Sequence, residues 1–286
     1  MLTHGDSRPM LTDGYPRLDL YEEIPDDHLF REMREFARRF QEANRSALQY
    51  YSRRWVDNPL HHWSRRWEYL WVTERFAALV EERAGETLRV LDAGSGLTFF
   101  AHWLAHEFPS LRIECCDRDA RAAAAAARLV PPAVPSVAYA TQDLAALTFE
   151  GGVFDAIACV SVLEHTGRHE TIVEEFARVL RPGGRLVLTI DISLDGRWAI
   201  PIARARELVA ALARRFEPSS DYAACLERFD RERMLTTEHA RRIDATLLPW
   251  KYPSLRDAWE RRNPALLLRP KFKDLTCFCM TWSRRA

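Results

Sequence analysis

Neither sign of charge is in excess. Lys and Arg total 41, as do Asp and Glu, so the formal net charge is zero and no global field draws the chain to nucleic acid or to an anionic membrane. Also missing is any apolar run of about 18 residues, the length of a membrane-crossing helix. The opening MLTHGDSRPM has no basic stretch followed by an apolar core, as a secretory leader would. These absences predict a cytoplasmic protein with no membrane span. Cysteine is sparse, six in 286 residues. Cys115, Cys116, Cys277 and Cys279 fall in apolar segments that read as strands, which predicts reduced, buried thiols rather than a disulfide framework. What the chain does have is 47% hydrophobic residues, enough for one medium domain with additions at its ends.

Residues 1–20 scatter Gly, Pro and Asp without a period and predict an arm or a disordered end. From Asp26, Phe30, Met33, Phe36, Ala37 and Phe40 recur at helical spacing with charged residues between them. A second amphipathic helix follows Asp57-Asn58-Pro59, with Trp63, Trp67 and Trp71 one turn apart. Residues 1–85 therefore read as an arm and a helical cap. From Leu88 the pattern becomes β-α-β-α: LRVLDAG, LTFFAHWLAHEF, LRIECCD, DARAAAAAARLV, SVAYATQD, FDAIACVSVL, HETIVEEFARVL and GRLVLTID. RPGG marks a turn before the last of these. Short, nearly all-apolar strands alternating with helices predict a Rossmann-like, mostly parallel sheet covered on both faces, with its core at 88–191. Beyond it come a crossover helix, a mixed, mostly helical insertion at 219–270, and a closing strand, TCFCMTWS. No internal repeat is present.

In such a sheet a ligand sits beyond the carboxyl ends of the strands where strand order reverses. RVLDAGSGLTFF supplies a tight glycine turn there. A triphosphate loop would need Lys after its last glycine, and none follows Gly96. A dinucleotide or flavin fingerprint would need a third glycine where Phe99 stands, at the helix N-terminus that holds a pyrophosphate. Asp92, ahead of the turn, would repel a pyrophosphate but suits an amino group and a sulfonium cation. Asp117 closes the second strand, where a carboxylate can accept ribose hydroxyls. Asp143 closes the third and could accept the adenine amine. S-adenosylmethionine fits that set.

The motifs VLDAGSG, CCDRD, QDL, FDAIACVSVLEH and RVLRPGGRLVLT agree in order and spacing with one family. Over residues 88–191 the chain resembles the class I S-adenosylmethionine-dependent methyltransferases, closest to the type 11-like, small-molecule branch. The resemblance implies a seven-stranded sheet ending in an antiparallel hairpin, a methyltransferase domain over 86–286, and S-adenosyl-L-homocysteine as product. It also implies that Asp92, Gly94, Ser95 and Gly96 line the methionine end, with Ser161 near the cofactor. Asp117 and Arg118 would take the ribose, Asp143 and Leu144 the adenine. It leaves unexplained the N-terminal helices and the 219–270 segment, which are expected to build a substrate cap with help from LLPWKYPSLRDAW.

Methyl transfer is an in-line displacement that mainly needs the nucleophile held collinear with an activated carbon. An acceptor protonated at neutral pH gains from a base. His165, after the fourth strand, is the candidate, with Glu164 orienting it or a substrate amine. The alternative is that His165 only lines the loop. NPLHHWSRRWEYLW reads either as a lid, with Trp63, Arg66 and Trp67 facing substrate and Arg65 or Arg66 meeting an anion, or as a helix docked on the sheet by its tryptophans. His102 and His106 lack a third ligand for zinc, so no metal is expected. The function that follows is transfer of a methyl group to an oxygen or nitrogen of a small-molecule metabolite. The alternatives are a non-catalytic cofactor-binding regulator or scaffold, and, against Phe99, an NAD-dependent oxidoreductase. Substrate identity and oligomeric state are not legible.

Overall fold

The computed structural model describes residues 9–51, 59–197, 199–249 and 273–286. Three helices precede the sheet: α1 (Leu18–Glu23), α2 (His28–Tyr51) and α3 (Trp63–Glu82). In α2 the apolar stripe from Phe30 to Phe40 is buried, while Arg38 on the opposite face pairs with Glu35 and Glu42. Then β1 (Leu88–Ala93), α4 (Phe100–Glu107), β2 (Leu111–Asp117), α5 (Ala120–Ala126) and β3 (Val137–Thr141) build the first half of the alternation. The second half is β4 (Phe154–Val160), α6 (His169–Val179) and β5 (Leu180–Ser193). The chain continues with β6 (Ile200–Pro201), α7 (Ile202–Ala213), β7 (Phe216–Pro218), α8 (Tyr222–Glu227), α9 (Thr237–Ile243) and β8 (Leu275–Arg284).

The sheet runs β3-β2-β1-β4-β5-β8-β7 and is parallel as far as β5, with β8 antiparallel to both β5 and β7. It holds eight strands rather than the expected seven. The extra one is β6, two residues lying beside Ile192 and Ser193. β7 pairs antiparallel with β8 and forms the expected hairpin with it. RPGG loops out as a bulge, since Leu180 faces Phe154 and Arg185 already faces Ala156.

Strand side chains alternate between two cores. Val90, Ile113, Cys277 and Cys279 join the helices α2 to α5 on one face, whereas Leu91, Ala93, Phe278 and Met280 join α6 to α8 on the other. All six cysteines are free thiols and five are buried, Cys159 of β4 among them. Of the two readings of the N-terminal residues, an arm or a disordered end, the first described ones follow the arm. Leu11 is fully buried, Gly14 exchanges main-chain hydrogen bonds of 2.7 and 2.9 Å with Cys279, and the arm lies against β8. No helix among the described residues is long and apolar enough to cross a membrane. Of the 219–270 segment, α8 and α9 are described; most of LLPWKYPSLRDAW lies outside the described residues.

Candidate active site

The strand order reverses at β1, which has β2 on one side and β4 on the other. The crevice beyond their carboxyl ends is where an open α/β sheet receives ligand. The turn after β1 is closed by main-chain bonds: the N–H groups of Gly94 and Ser95 donate to the Cys116 carbonyl at 2.8 and 3.0 Å. Gly94 has φ +76°, and a Cβ there would come within 2.6 Å of a Val162 methyl. Only glycine fits. Ser95 Oγ donates to the Gly96 carbonyl at 3.0 Å.

Asp117 ties this turn to the end of β2. Its Oδ2 accepts from Gly96 N–H at 3.0 Å and its Oδ1 from Asp119 N–H at 2.8 Å. Each oxygen retains a lone pair for a ligand hydroxyl. Asp92 is half-buried behind the turn; burial and then the charge of Asp117 push its pKa up to about 7. Arg118 is exposed beside Asp117 and Leu144 is buried. Asp143 is exposed and forms two hydrogen bonds, 2.6 and 2.9 Å, with Arg168. That pair keeps its carboxyl below the ordinary range and engages both of its oxygens. Phe99 packs edge-to-face on Tyr69, ring centres 5.7 Å apart, and is buried. It fills the place of a dinucleotide fingerprint's third glycine.

The other half of the site is a buried polar network. Glu68 of α3 has no exposed surface and accepts from Ser161 Oγ at 2.6 Å and Thr189 Oγ1 at 2.5 Å. Arg65 pairs with the same carboxylate and donates to Ser161 Oγ at 2.8 Å. Burial works against the charge on Glu68, yet Arg65 and the hydroxyl donors hold its carboxyl below the ordinary range. Ser161 itself has φ +50°, an uncommon conformation for a residue with a Cβ, and its N–H is held by the carbonyl and hydroxyl oxygens of Thr189 at 3.0 and 3.1 Å. The Ser161 hydroxyl thus serves α3 in this structure. Next to it, Glu164 Oε1 accepts from Asp191 N–H at 3.3 Å, while Glu164 Oε2 and Asp191 Oδ1 are buried without a hydrogen-bond partner among the described residues. Burial and the charge of Asp191 raise the pKa of Glu164 well above the carboxylate range, and burial with the charge of Glu68 raises that of Asp191 to about 7.

The predicted orienting contact between Glu164 and His165 is not the one seen: the Glu164 carboxyl meets β5 instead. His165 is largely exposed; what burial it has, then Arg65, Lys273 and Arg118, lower its pKa. Trp63 and Trp67 have no exposed surface, so they dock α3 on the sheet and offer nothing to a substrate. Arg66 lies over the rings of Tyr21 and Phe30, at 5.7 and 6.0 Å, away from the crevice residues that Arg65 reaches. His102 is a satisfied core histidine. Its Nδ1 accepts from Val134 N–H at 2.9 Å, its Nε2 lies 3.2 Å from the Tyr139 hydroxyl, and burial lowers its pKa to about 4.

Sequence reasoning missed Tyr51, Glu68 and Asp191. The signal for Glu68 was present: WEYLWV is apolar around the whole helix, so the lone carboxylate within it had to be buried and partnered. Asp191 lies near the carboxyl end of β5, as Asp92 and Asp117 do in β1 and β2.

Residues 91–188 match the family described as "Methyltransferase domain". Over about a third of its length the chain is similar to a methyltransferase domain. A stretch of 73 residues is 34% identical to the ubiquinone biosynthesis O-methyltransferase of Xanthomonas oryzae pv. oryzae, covering 26% of this chain and 30% of that protein. The match thus spans less than a third of the relative's length. Among solved structures, phosphoethanolamine N-methyltransferase 2 of Haemonchus contortus, in complex with S-adenosyl-L-methionine, is similar over 88% of this chain and 60% of its own, at 18% identity and a TM-score of 0.50. The YcgJ protein of Bacillus subtilis is similar over 74% and 99%, at 16% identity and a TM-score of 0.47. The first of these shares the fold; the domain's chemistry has to be argued from its own residues.

Proposed function

We propose that the chain is an S-adenosylmethionine-dependent methyltransferase acting on an oxygen or nitrogen of a small-molecule metabolite in the cytoplasm. The observation that carries the reading is the pair of carboxylates, Asp92 and Asp117, on either side of a glycine turn that admits no Cβ at Gly94. Two acids repel a diphosphate and suit a ligand with a cationic amino-acid end and a ribose. Bound there, S-adenosylmethionine supplies a methyl group already activated by its sulfonium.

The residues present fit that ligand. Asp117 would accept ribose hydroxyls through its spare lone pairs, and Asp92 would take its charged form opposite an ammonium group. Leu144 offers apolar surface for the base. With the carbon already activated, the protein's task is positioning. His165, neutral near pH 7 because its pKa is lowered, is suited to take a proton from an acceptor hydroxyl or amine. Its loop is held in place by the Glu68 network through Ser161. The names of the relatives support the acceptor class, since one methylates an oxygen and the other a nitrogen.

Calorimetric titration with S-adenosylmethionine, S-adenosylhomocysteine and NAD tests this. Micromolar binding of both sulfur nucleosides, lowered at least tenfold in Asp117→Ala, and none for NAD is the expected result, with the loss reflecting about 1.4 kcal/mol or more. Binding of NAD alone would sink the proposal.

A further inference from the structure

α2 is not one straight helix. Its dihedrals break at Asn44 (φ −109°, ψ 16°), and this asparagine is buried. Its amide nitrogen donates to the carbonyls of Phe40 and Val130, both at 3.0 Å, and its amide oxygen accepts from Val130 N–H at 2.7 Å. One side chain thus satisfies the broken turn and pins it to the segment following α5. Such an insertion into the hydrogen-bond ladder is a known cause of a helix bend. Ala47 and Leu48 are buried and fix the direction of the last two turns. Those turns end at Tyr51, whose hydroxyl oxygen lies 3.0 Å from where a Cβ on Gly96 would sit.

The side of Gly96 that a Cβ would occupy is therefore faced by a phenol hydroxyl. Gly96 has φ +56°, and its own N–H is already given to Asp117. A hydroxyl delivered by a separately clamped helix end, half-buried and beside a carboxylate suited to ribose, has more specific chemistry than a helix end that only covers the sheet. We infer that Tyr51 is a further cofactor-binding residue, whose hydroxyl donates to a ribose oxygen at the Asp117 site. Burial and then the charges of Asp117 and Asp119 push the phenol's pKa up to about 12, so it remains a donor at neutral pH. The inference rests on the proposed function, because it needs a nucleoside at the glycine turn.

The test is the affinity of S-adenosylhomocysteine and of methylthioadenosine, which lacks the amino-acid end, for the wild-type chain, Tyr51→Phe and Tyr51→Ala. Melting curves of the unliganded variants check their folding, and Tyr51→Phe, which keeps the ring, is the variant that decides. One lost hydrogen bond predicts about tenfold weaker binding of both ligands to Tyr51→Phe. Tyr51→Ala should be weaker still. Affinities of Tyr51→Phe within about twofold of wild type overturn the inference and leave the proposed function standing. A loss confined to S-adenosylhomocysteine overturns the ribose assignment by moving the contact to the amino-acid end. Absence of binding to the wild-type chain overturns both readings together.

Discussion

Asp92 carries a prediction with a definite sign. Its pKa rises from 3.8 to about 7 through burial and the charge of Asp117, so between those values the folded chain binds more protons than the unfolded one. The stability Asp92 contributes is therefore fully present below about pH 4 and is lost as pH rises to about 7. Asp92→Asn should raise the melting temperature of the unliganded protein at pH 8 and leave it nearly unchanged at pH 4. A cationic ligand favours the carboxylate, so binding S-adenosylmethionine at pH 7 should release part of a proton. Calorimetry in buffers of different ionisation enthalpy reads that release, and Asp92→Asn should abolish it. His165 is tested by kinetics once an acceptor is known. As a base it should make His165→Gln about 100-fold slower or worse in kcat, with S-adenosylhomocysteine affinity unchanged; a fall of less than threefold would reduce it to a loop residue.

At the scale of elements, α3 is joined to β4 and β5 by one carboxylate. Removing it in Glu68→Ala leaves Arg65, Ser161 and Thr189 without their shared acceptor, and breaking a buried pair from one side costs about 3–5 kcal/mol. Denaturant unfolding should show a loss of that order, and double substitution of Arg65 and Glu68 by apolar residues should recover part of it. The elements themselves were largely legible in the sequence. Strands of the parallel core read as short apolar runs ending in acids because both their faces are covered, and the helices between them kept a clear period. What escaped has physical reasons. β7 is three residues long, too short for any period. The bend at Asn44 depends on Val130, far away in sequence. Arg65 and Glu68, three apart, resemble an ordinary surface pair on a helix until the tryptophans on either side are seen to be core. The glycine turn and its acids were readable since their chemistry is local; Tyr51 was not, because only the tertiary fold brings it to the site.

At the scale of the molecule, the N-terminal arm belongs to the fold. Asp13 accepts from the hydroxyls of Ser219 and Tyr222, each at 2.5 Å, and pairs with Arg75 of α3 at 3.2 Å. It thus links the arm to the helical cap and to the end of the sheet. Leu11 is fully buried against the same core. Leu11→Ala should cost about 2–5 kcal/mol, lowering the melting temperature by roughly 4–20 °C at the 2–4 °C per kcal/mol expected near this size. A thermal scan would read it directly. The helical cap meets the sheet at the crevice, through Tyr51 over Gly96 and Glu68 on Ser161. The most direct measurement is a crystal structure with S-adenosylhomocysteine. The expected result is the ribose on Asp117, the amino-acid end beside Asp92 and the Tyr51 hydroxyl over the sugar. A nucleoside bound elsewhere, or one whose ribose makes no contact with Asp117, would contradict it.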